Sequence, residues 1–378
     1  MPIIIIGIIL IGFGILAIYS VSIYESFALT LSLIEKGIMS GEASNYFYFF
    51  RQLRNIGIAI IMSLLVYRVP IKFFQNNRNI TILVVIIFLL QLAVFIPGIG
   101  IVLNGARGWI DIPGLPSIQP SEFFKLGYVL FLGNWLLRKK NFINKNEFIL
   151  SFVILNAILF FVFFLIPDLG TVLVLGITGL IMAWYAGLKF KKVLLIFFGG
   201  MILGASVGGI AGMVSDRFAY IQKRVTYFIS SDVDPQNRQI GWQNEQALMA
   251  IGGGGILGKG YGKGLQKFGF IPEAQSDFIF AAYSEEIGFV GNLMLLALYF
   301  YLMFYFLKNL SYAKDDYPKL LGVGIISLII VQVFINIGVN TKILPNTGLT
   351  LPFISYGGTA LMVNFIEIIF LYKIIKRK

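Results

Sequence analysis

The stretch PEAQSDFIFA at 272–281 carries the residue best suited to act as a base. Asp277 stands where a polar loop turns into an apolar run, with Ser276 beside it as a candidate helix N-cap. A carboxylate at that position is costly unless it is paired, hydrated or used, and partial burial raises its pKa toward that of a working base. The competing reading is structural: an acid at a helix start satisfies the first-turn amides and the helix dipole. Glu285 and Glu286 follow about two turns further in. At least one is expected to face the bundle interior, as a reactive group or as a buried polar pair that joins helices.

Three further stretches combine ionisable side chains with Gly and Pro. In NGARGWIDIPGLPSIQPSEFFKL at 104–126 the ionisable candidates are Arg107, Glu122 and Lys125. Glu122 and Lys125 can pair at i,i+3, and Ser121 or Gln119 can cap the following helix. The alternative is a structured turn anchored by Trp109 at the membrane interface. PDLGT at 167–171 places Asp168 between two apolar runs, as a site residue or as part of a simple hairpin turn. LPNTGLTLPFISYGG at 344–358, which contains Ser355, interrupts apolar sequence with prolines and glycines. Such backbone is tolerated at membrane depth only where it packs in protein or lines a wet cavity. The glycines from Gly252 to Gly264 match neither phosphate-loop pattern. They are expected to form a flexible or close-packed loop, in which Lys259, Lys263 and Lys267 could still meet a phosphate or lipid head group.

The elements that position these residues follow from composition. The chain has 378 residues, 58% hydrophobic and 13% charged. Soluble domains run at about 45–50% apolar and about 25% charged. A soluble domain is excluded, and continuous apolar runs argue against a membrane β-barrel. With no Cys and no His, thiol nucleophiles, disulfides, imidazole bases and His/Cys metal sites are also excluded. The expected fold is an all-α polytopic membrane protein, a single integral membrane domain over 1–378. Ten spans are predicted near 2–24, 55–70, 79–100, 123–137, 148–166, 169–187, 193–214, 278–307, 319–340 and 357–374, with a long extracytoplasmic loop at about 215–277. The first run lacks a basic leader and reads as a retained helix.

The net charge of +12 reads as a positive-inside bias rather than as nucleic-acid binding. Arg68, Lys72 and Arg78 follow span two; Arg138, Lys139, Lys140 and Lys145 follow span four. Lys189, Lys191 and Lys192 follow span six, Lys308, Lys314 and Lys319 follow span eight, and Lys373 to Lys378 close the chain. All fall on one side if both termini are cytoplasmic. The opposite side receives most of the Gly and Pro outside the spans and most of the conspicuous polar residues, so chemistry is expected on the outer face.

Together, NGARGWI…SIQPSEFFKL, PDLGT, GWQNEQALMAIGGGGILGKG at 241–260, PEAQSDFIFA with EEIGFVG, and LPNTGLTLPFISYGG resemble the shape, elongation, division and sporulation (SEDS) family, in matching order across nearly the whole chain. The family includes FtsW, RodA and SpoVE, and the likeness leans to the division branch through QKFGFIPEA and LPNTGLTLP. It implies a peptidoglycan glycosyltransferase that polymerises lipid II at the outer face of a bacterial cytoplasmic membrane, beside a class B penicillin-binding transpeptidase. The family's essential aspartate maps onto Asp277. Where the family commonly has His-Thr before it, this chain has Gln275-Ser276, and Lys342 replaces a small residue.

The implied reaction inverts C1 of a polyprenyl-pyrophosphate-linked donor, with Asp277 as general base toward the acceptor hydroxyl. Substrate-binding candidates are Arg107, Glu122, Lys125, Asp168, Arg224, Gln246, Glu273 and Ser355. Mg²⁺ or Mn²⁺ is expected near the leaving pyrophosphate, with Asp277 a possible ligand and Glu122 and Glu273 as orienting or metal-binding partners. No nucleotide is implied. A lipid II flippase, and a non-catalytic scaffold for a transpeptidase, are the alternatives.

Overall fold

In the computed structural model, residues 2–103, 106–111, 116–166, 168–214 and 238–376 are described. They form helices and one two-stranded hairpin. Helices lie at all ten predicted places: α1 (Pro2–Val21), α3 (Phe47–Arg68), α5 (Asn77–Leu92), α6 (Pro120–Lys139), α7 (Asn146–Leu165), α8 (Leu169–Tyr185), α9 (Phe190–Val214), α11 (Ile279–Asn309), α12 (Asp316–Asn340) and α13 (Gly358–Lys376). Among the described residues, seven helices are long and apolar enough to cross a membrane, and α8 is a shorter apolar helix, so seven and not ten meet that test.

Three differences from expectation have local causes. α3 starts at Phe47, well before position 55, because Arg51, Gln52, Arg54 and Asn55 break the apolar pattern without breaking the helix. Gln52 and Asn55 are buried in protein, and Arg51 lies 4.2 Å from the Phe47 ring centroid. α5 stops at Leu92, where a 3₁₀ turn leads to Gly98 in the left-handed region (φ 83°). The chain then forms β1 (Gly100–Leu103) paired antiparallel with β2 (Ala106–Ile110), with Ile101 opposite Trp109. The expected loops also contain short helices: α2 (Ile23–Glu35), α4 (Ile71–Gln75) and α10 (Arg238–Gly253).

Contacts divide the chain into two compact units. In the second (63–223, 305–331 and 366–378) small residues allow close helix approach. A Cβ at Gly179 would strike the Tyr128 hydroxyl, and one at Gly322 would strike the Phe306 ring. Tyr317 donates to the Leu130 carbonyl at 3.2 Å, which ties α12 to α6.

In the first unit (1–62, 224–304 and 332–365) the expected close-packed glycine loop is found. α11 is kinked at Gly288 (φ 66°, ψ −170°). The kink separates the carbonyls of Glu285 and Glu286 from the amides of Phe289 and Val290 that an unbroken helix would give them. The loop replaces both sides. Lys259 and Gly260 donate to the two carbonyls at 2.9 and 3.1 Å, and Gly255 and Ile256 accept from the two amides at 2.9 and 3.1 Å. A Cβ at Gly258 or Gly288 would collide with the opposing backbone.

The same loop absorbs two buried acids. Glu285 receives Lys259 Nζ at 2.6 Å and the amides of Leu265 and Gln266, both at 2.9 Å. Glu286 receives Lys267 Nζ at 2.7 Å, the Ser20 hydroxyl at 2.7 Å and the Gly262 amide at 3.0 Å. The structural reading of this pair is therefore correct. Lys259 and Lys267 are held by acids rather than free for a phosphate.

Removing one partner of a buried ion pair strands the other charge. Lys267→Met is expected to destabilise the protein by about 3–5 kcal/mol. Adding Glu286→Gln should restore part of that, read as melting temperature in detergent.

Candidate active site around Asp277

Asp277 is half-buried in the turn that precedes α11. The helix begins at Ile279, and Ser276 does not cap it: its hydroxyl turns back to the Glu273 carbonyl at 3.2 Å and to Glu273 Oε2 at 3.1 Å. The first-turn amide of Ala281 is met from another helix, by Asn340 Oδ1 at 3.0 Å. The helix start is capped by tertiary contact, not by its own flanking residue.

The carbonyl of Asp277 is gripped twice. Asn336 Nδ2 and Asn340 Nδ2 both donate to it at 2.9 Å. Asn336 also donates to the Leu349 carbonyl at 2.7 Å, and Gln332 Nε2 to the Thr350 carbonyl at 3.0 Å. Gln332, Asn336 and Asn340 are spaced four residues apart on α12, so they form one stripe that holds two non-helical segments.

The second of those segments is the 344–358 strap. Ser355 donates to the Ser276 carbonyl at 2.6 Å and accepts from the Leu351 amide at 2.8 Å. The Tyr356 amide donates to the Gln275 carbonyl at 2.8 Å. The strap crosses α1 at Gly14, where a Cβ would run into the Phe353 carbonyl, and Tyr299 of α11 donates to the Pro352 carbonyl. Gly348 (φ 72°) lies beside the acid: a Cβ there would stand 3.7 Å from Asp277 Oδ2. Its glycine meets the left-handed backbone and keeps bulk away from the carboxylate.

Three non-glycine residues also adopt left-handed backbone: Glu273 (φ 55°), Lys342 (φ 55°) and Phe353 (φ 68°). Lys342 lies in the turn just past the end of α12, where Ile343 and Leu344 both donate to the Gly338 carbonyl at 2.7 and 2.9 Å. This gives the unusual lysine a place in a helix-terminating turn. Glu273 and Phe353 lie in the two segments around Asp277, where strain of this kind tends to collect at functional sites.

The first unit thus holds Asp277, Glu273, Ser355 and Gln246, the last buried on α10. The hydroxyl of Ser355 is engaged by backbone. Gln243, one turn before Gln246, accepts from Asn346 Nδ2 at 3.3 Å and so fastens α10 to the strap. Gln275 Oε1, beside the acid, is buried with no hydrogen-bond partner. The second unit holds Arg107, Glu122, Lys125 and Asp168. Arg107 is exposed on β2. Glu122 and Lys125 form the expected i,i+3 pair at 2.9 Å, buried on α6. Pro120 starts that helix, and its N-cap residue Gln119 makes no side-chain cap. Asp168 caps α8 by accepting from the Thr171 amide at 2.9 Å and hydroxyl at 2.7 Å. Arg224 lies outside the described residues.

Sequence inspection missed Asn336, Asn340, Gln332 and Gln243. For Gln332, Asn336 and Asn340 the signal was present: three amides at four-residue spacing inside an apolar run. No group of three or more acidic, His or Cys side chains suited to a metal ion occurs among the described residues.

Comparison with known proteins is consistent along the chain. The family model for FtsW, RodA and SpoVE, described as cell cycle protein, matches residues 1–378. Stage V sporulation protein E of Bacillus subtilis (strain 168) is 39% identical over 327 residues, 86% of each chain. A probable peptidoglycan glycosyltransferase FtsW of Nitrosomonas europaea is 33% identical over 371 residues, 97% of this chain and 89% of that protein. In fold, the rod shape determining protein RodA of Thermus thermophilus superposes with a TM-score of 0.67 at 21% identity, covering 100% of this chain and 95% of that one. A chain from a structure described as structural coordination of polymerization and crosslinking by a peptidoglycan synthase complex gives a TM-score of 0.74 at 22% identity, covering 99% of this chain and 97% of that one.

Two measurements probe this site. Asn340→Leu leaves the Ala281 amide unpaired and is expected to lower stability by about 1–3 kcal/mol, checked by thermal unfolding in detergent. Burial, with the Glu273 carboxylate nearby, raises the Glu25 carboxyl on α2 above its ordinary value. Its contribution is therefore present below the usual carboxylate range and lost as pH rises through the raised value. Glu25→Gln should flatten the fall in melting temperature as pH rises above the usual carboxylate range.

Proposed function

The chain belongs to the FtsW, RodA and SpoVE family of cell cycle proteins, and on that premise we propose that it is a peptidoglycan glycosyltransferase that polymerises lipid II. The observation that carries this reading is the frame around Asp277. Its backbone is pinned from α12 and from the strap, the residue is half-buried, and Gly348 keeps bulk away from its carboxylate.

In the reaction, the 4-hydroxyl of the acceptor GlcNAc gives its proton to the Asp277 carboxylate as its oxygen attacks C1 of the donor sugar. The bond from C1 to the phosphate oxygen breaks with inversion, and the polyprenyl pyrophosphate leaves with the electron pair. Cleavage of the bond between the sugar and the pyrophosphate drives the step, so no nucleotide is needed. Stabilising the leaving group requires positive charge. Arg107, Lys125 and Arg224 are the sequence candidates, and the hydrogen-bonded frame supports the assignment of Asp277 only. Mg²⁺ or Mn²⁺ would add charge there, but the described residues offer no resident site of three or more such ligands, so no step is assigned to an ion.

The basic loops support an orientation with both termini cytoplasmic and Asp277 on the outer face of the cytoplasmic membrane. A class B penicillin-binding transpeptidase is the partner we infer, since glycan strands must be cross-linked where they are made. We favour a division or sporulation role over elongation, because the two relatives described above, 39% and 33% identical, carry those names.

Asp277→Asn is expected to keep its melting temperature and to lose lipid II polymerisation by two or more orders of magnitude, on the scale of a missing general base, about 10²–10⁴. Glycan ladders from purified Asp277→Asn at the wild-type level would overturn the assignment. The same assay on the wild-type protein separates a polymerase from a flippase or a scaffold, neither of which makes ladders.

A further inference from the structure

The glycine loop that repairs the α11 kink has an outer surface that its partners leave bare. Ile256 is 72% exposed and Leu257 79%, and Leu265, Tyr261, Phe268 and Phe270 are exposed as well. Two observations place this surface relative to the membrane. The Tyr261 hydroxyl donates to the Leu16 carbonyl at 2.9 Å, five residues before α1 ends at Val21. At about 1.5 Å per residue that point is roughly 7–8 Å inside the end of a spanning helix. The loop backbone also pairs with residues 285–290 of α11. From there to Asn309 the helix is long enough, at about 1.5 Å per residue, to cross a hydrocarbon core of about 30 Å by itself. Both contacts set the loop at the edge of that core.

We propose that the Gly254–Phe270 loop is seated in the leaflet at the end of α1, with Ile256, Leu257 and Leu265 against lipid acyl chains. Irregular backbone at that depth must have its polar groups paired in protein. The four bonds to α11 and the amides of Gly262, Leu265 and Gln266 on Glu285 and Glu286 supply such partners. Apolar side chains of α11 just beyond the kink, Phe289, Leu293 and Met294, are themselves exposed, so the lipid-facing surface continues from helix to loop. Aromatic Tyr261, Phe268 and Phe270 and exposed Lys263 form the rim expected at a membrane–water interface. Bilayer lipid fits this surface better than a partner protein does, because a continuous lipid-facing helix already borders it.

The chain has no cysteine, so single-cysteine variants need no prior change. Ile256→Cys, Leu257→Cys and Leu265→Cys, with Glu42→Cys as the water-exposed reference, would be labelled with NBD in the full-length protein reconstituted into phosphatidylcholine vesicles. Fluorescence at the three loop positions is expected to be blue-shifted and quenched at least threefold more by doxyl-phosphatidylcholine than at position 42, with iodide showing the reverse order. Iodide quenching equal to that at position 42 would show water contact and overturn the proposal. Protection from both quenchers would show a protein occupant, such as a second copy, and overturn it too. The three positions report independently, so one variant that fails to fold leaves the test intact.

Discussion

Three amide side chains one helical turn apart hold the candidate site together. Gln332, Asn336 and Asn340 on α12 donate to carbonyls of two segments that are not helical, the turn at Asp277 and the strap at 349–350. In a membrane protein a break in helical backbone exposes polar groups that lipid cannot satisfy. The site can exist only because this stripe supplies the missing donors. It supplies an acceptor as well, since Asn340 Oδ1 takes the Ala281 amide at the start of α11.

The same constraint governs the kink at Gly288. Breaking α11 separates two carbonyls from two amides, and one loop returns partners to all four. The glycines of that loop are needed for close approach, since side chains at 258 or 288 would meet backbone. The acids Glu285 and Glu286 then bind loop amides and two lysines, so the loop is held by charge as well as by ladder bonds. Both interruptions of α11, at its start and at its kink, are completed by residues distant in sequence. Helix and loop geometry are therefore mutually dependent, and Asp277 inherits its placement from that dependence.

A carboxylate serves as a base only if it is neither fully paired nor fully hydrated. Around Asp277 several hydrogen bonds fix the main chain. Ser355, Tyr356, Asn336 and Asn340 all hold backbone groups of residues 275–277. Rigid backbone carrying a half-buried acid is an arrangement that preorganised chemistry can use. Left-handed Glu273 and Phe353 lie in the same two segments, where the surrounding bonds can hold strained backbone.

Hydropathy by itself determined that the chain is a helical membrane protein, because apolar length and charge spacing are local quantities. Residue inventory narrowed the chemistry: without Cys or His, any catalysis must use carboxylates, Lys, Arg, hydroxyls, amides or an oxygen-ligated metal. The Glu122–Lys125 pair was legible too, since i,i+3 spacing is a property of any helix. What only the tertiary structure decided are pairings between distant segments. Ser276 looked like a cap because it precedes an apolar run, yet the cap comes from Asn340, more than sixty residues away. Lys267 looked available to a phosphate, yet Glu286 and Ser20 claim it. The start of α3 was misplaced because Gln52 and Asn55 read as a polar break until the protein surface they face is known. Local pattern reveals what each segment prefers, while the partner of a broken hydrogen bond or a buried charge is settled by whichever segment the fold brings beside it.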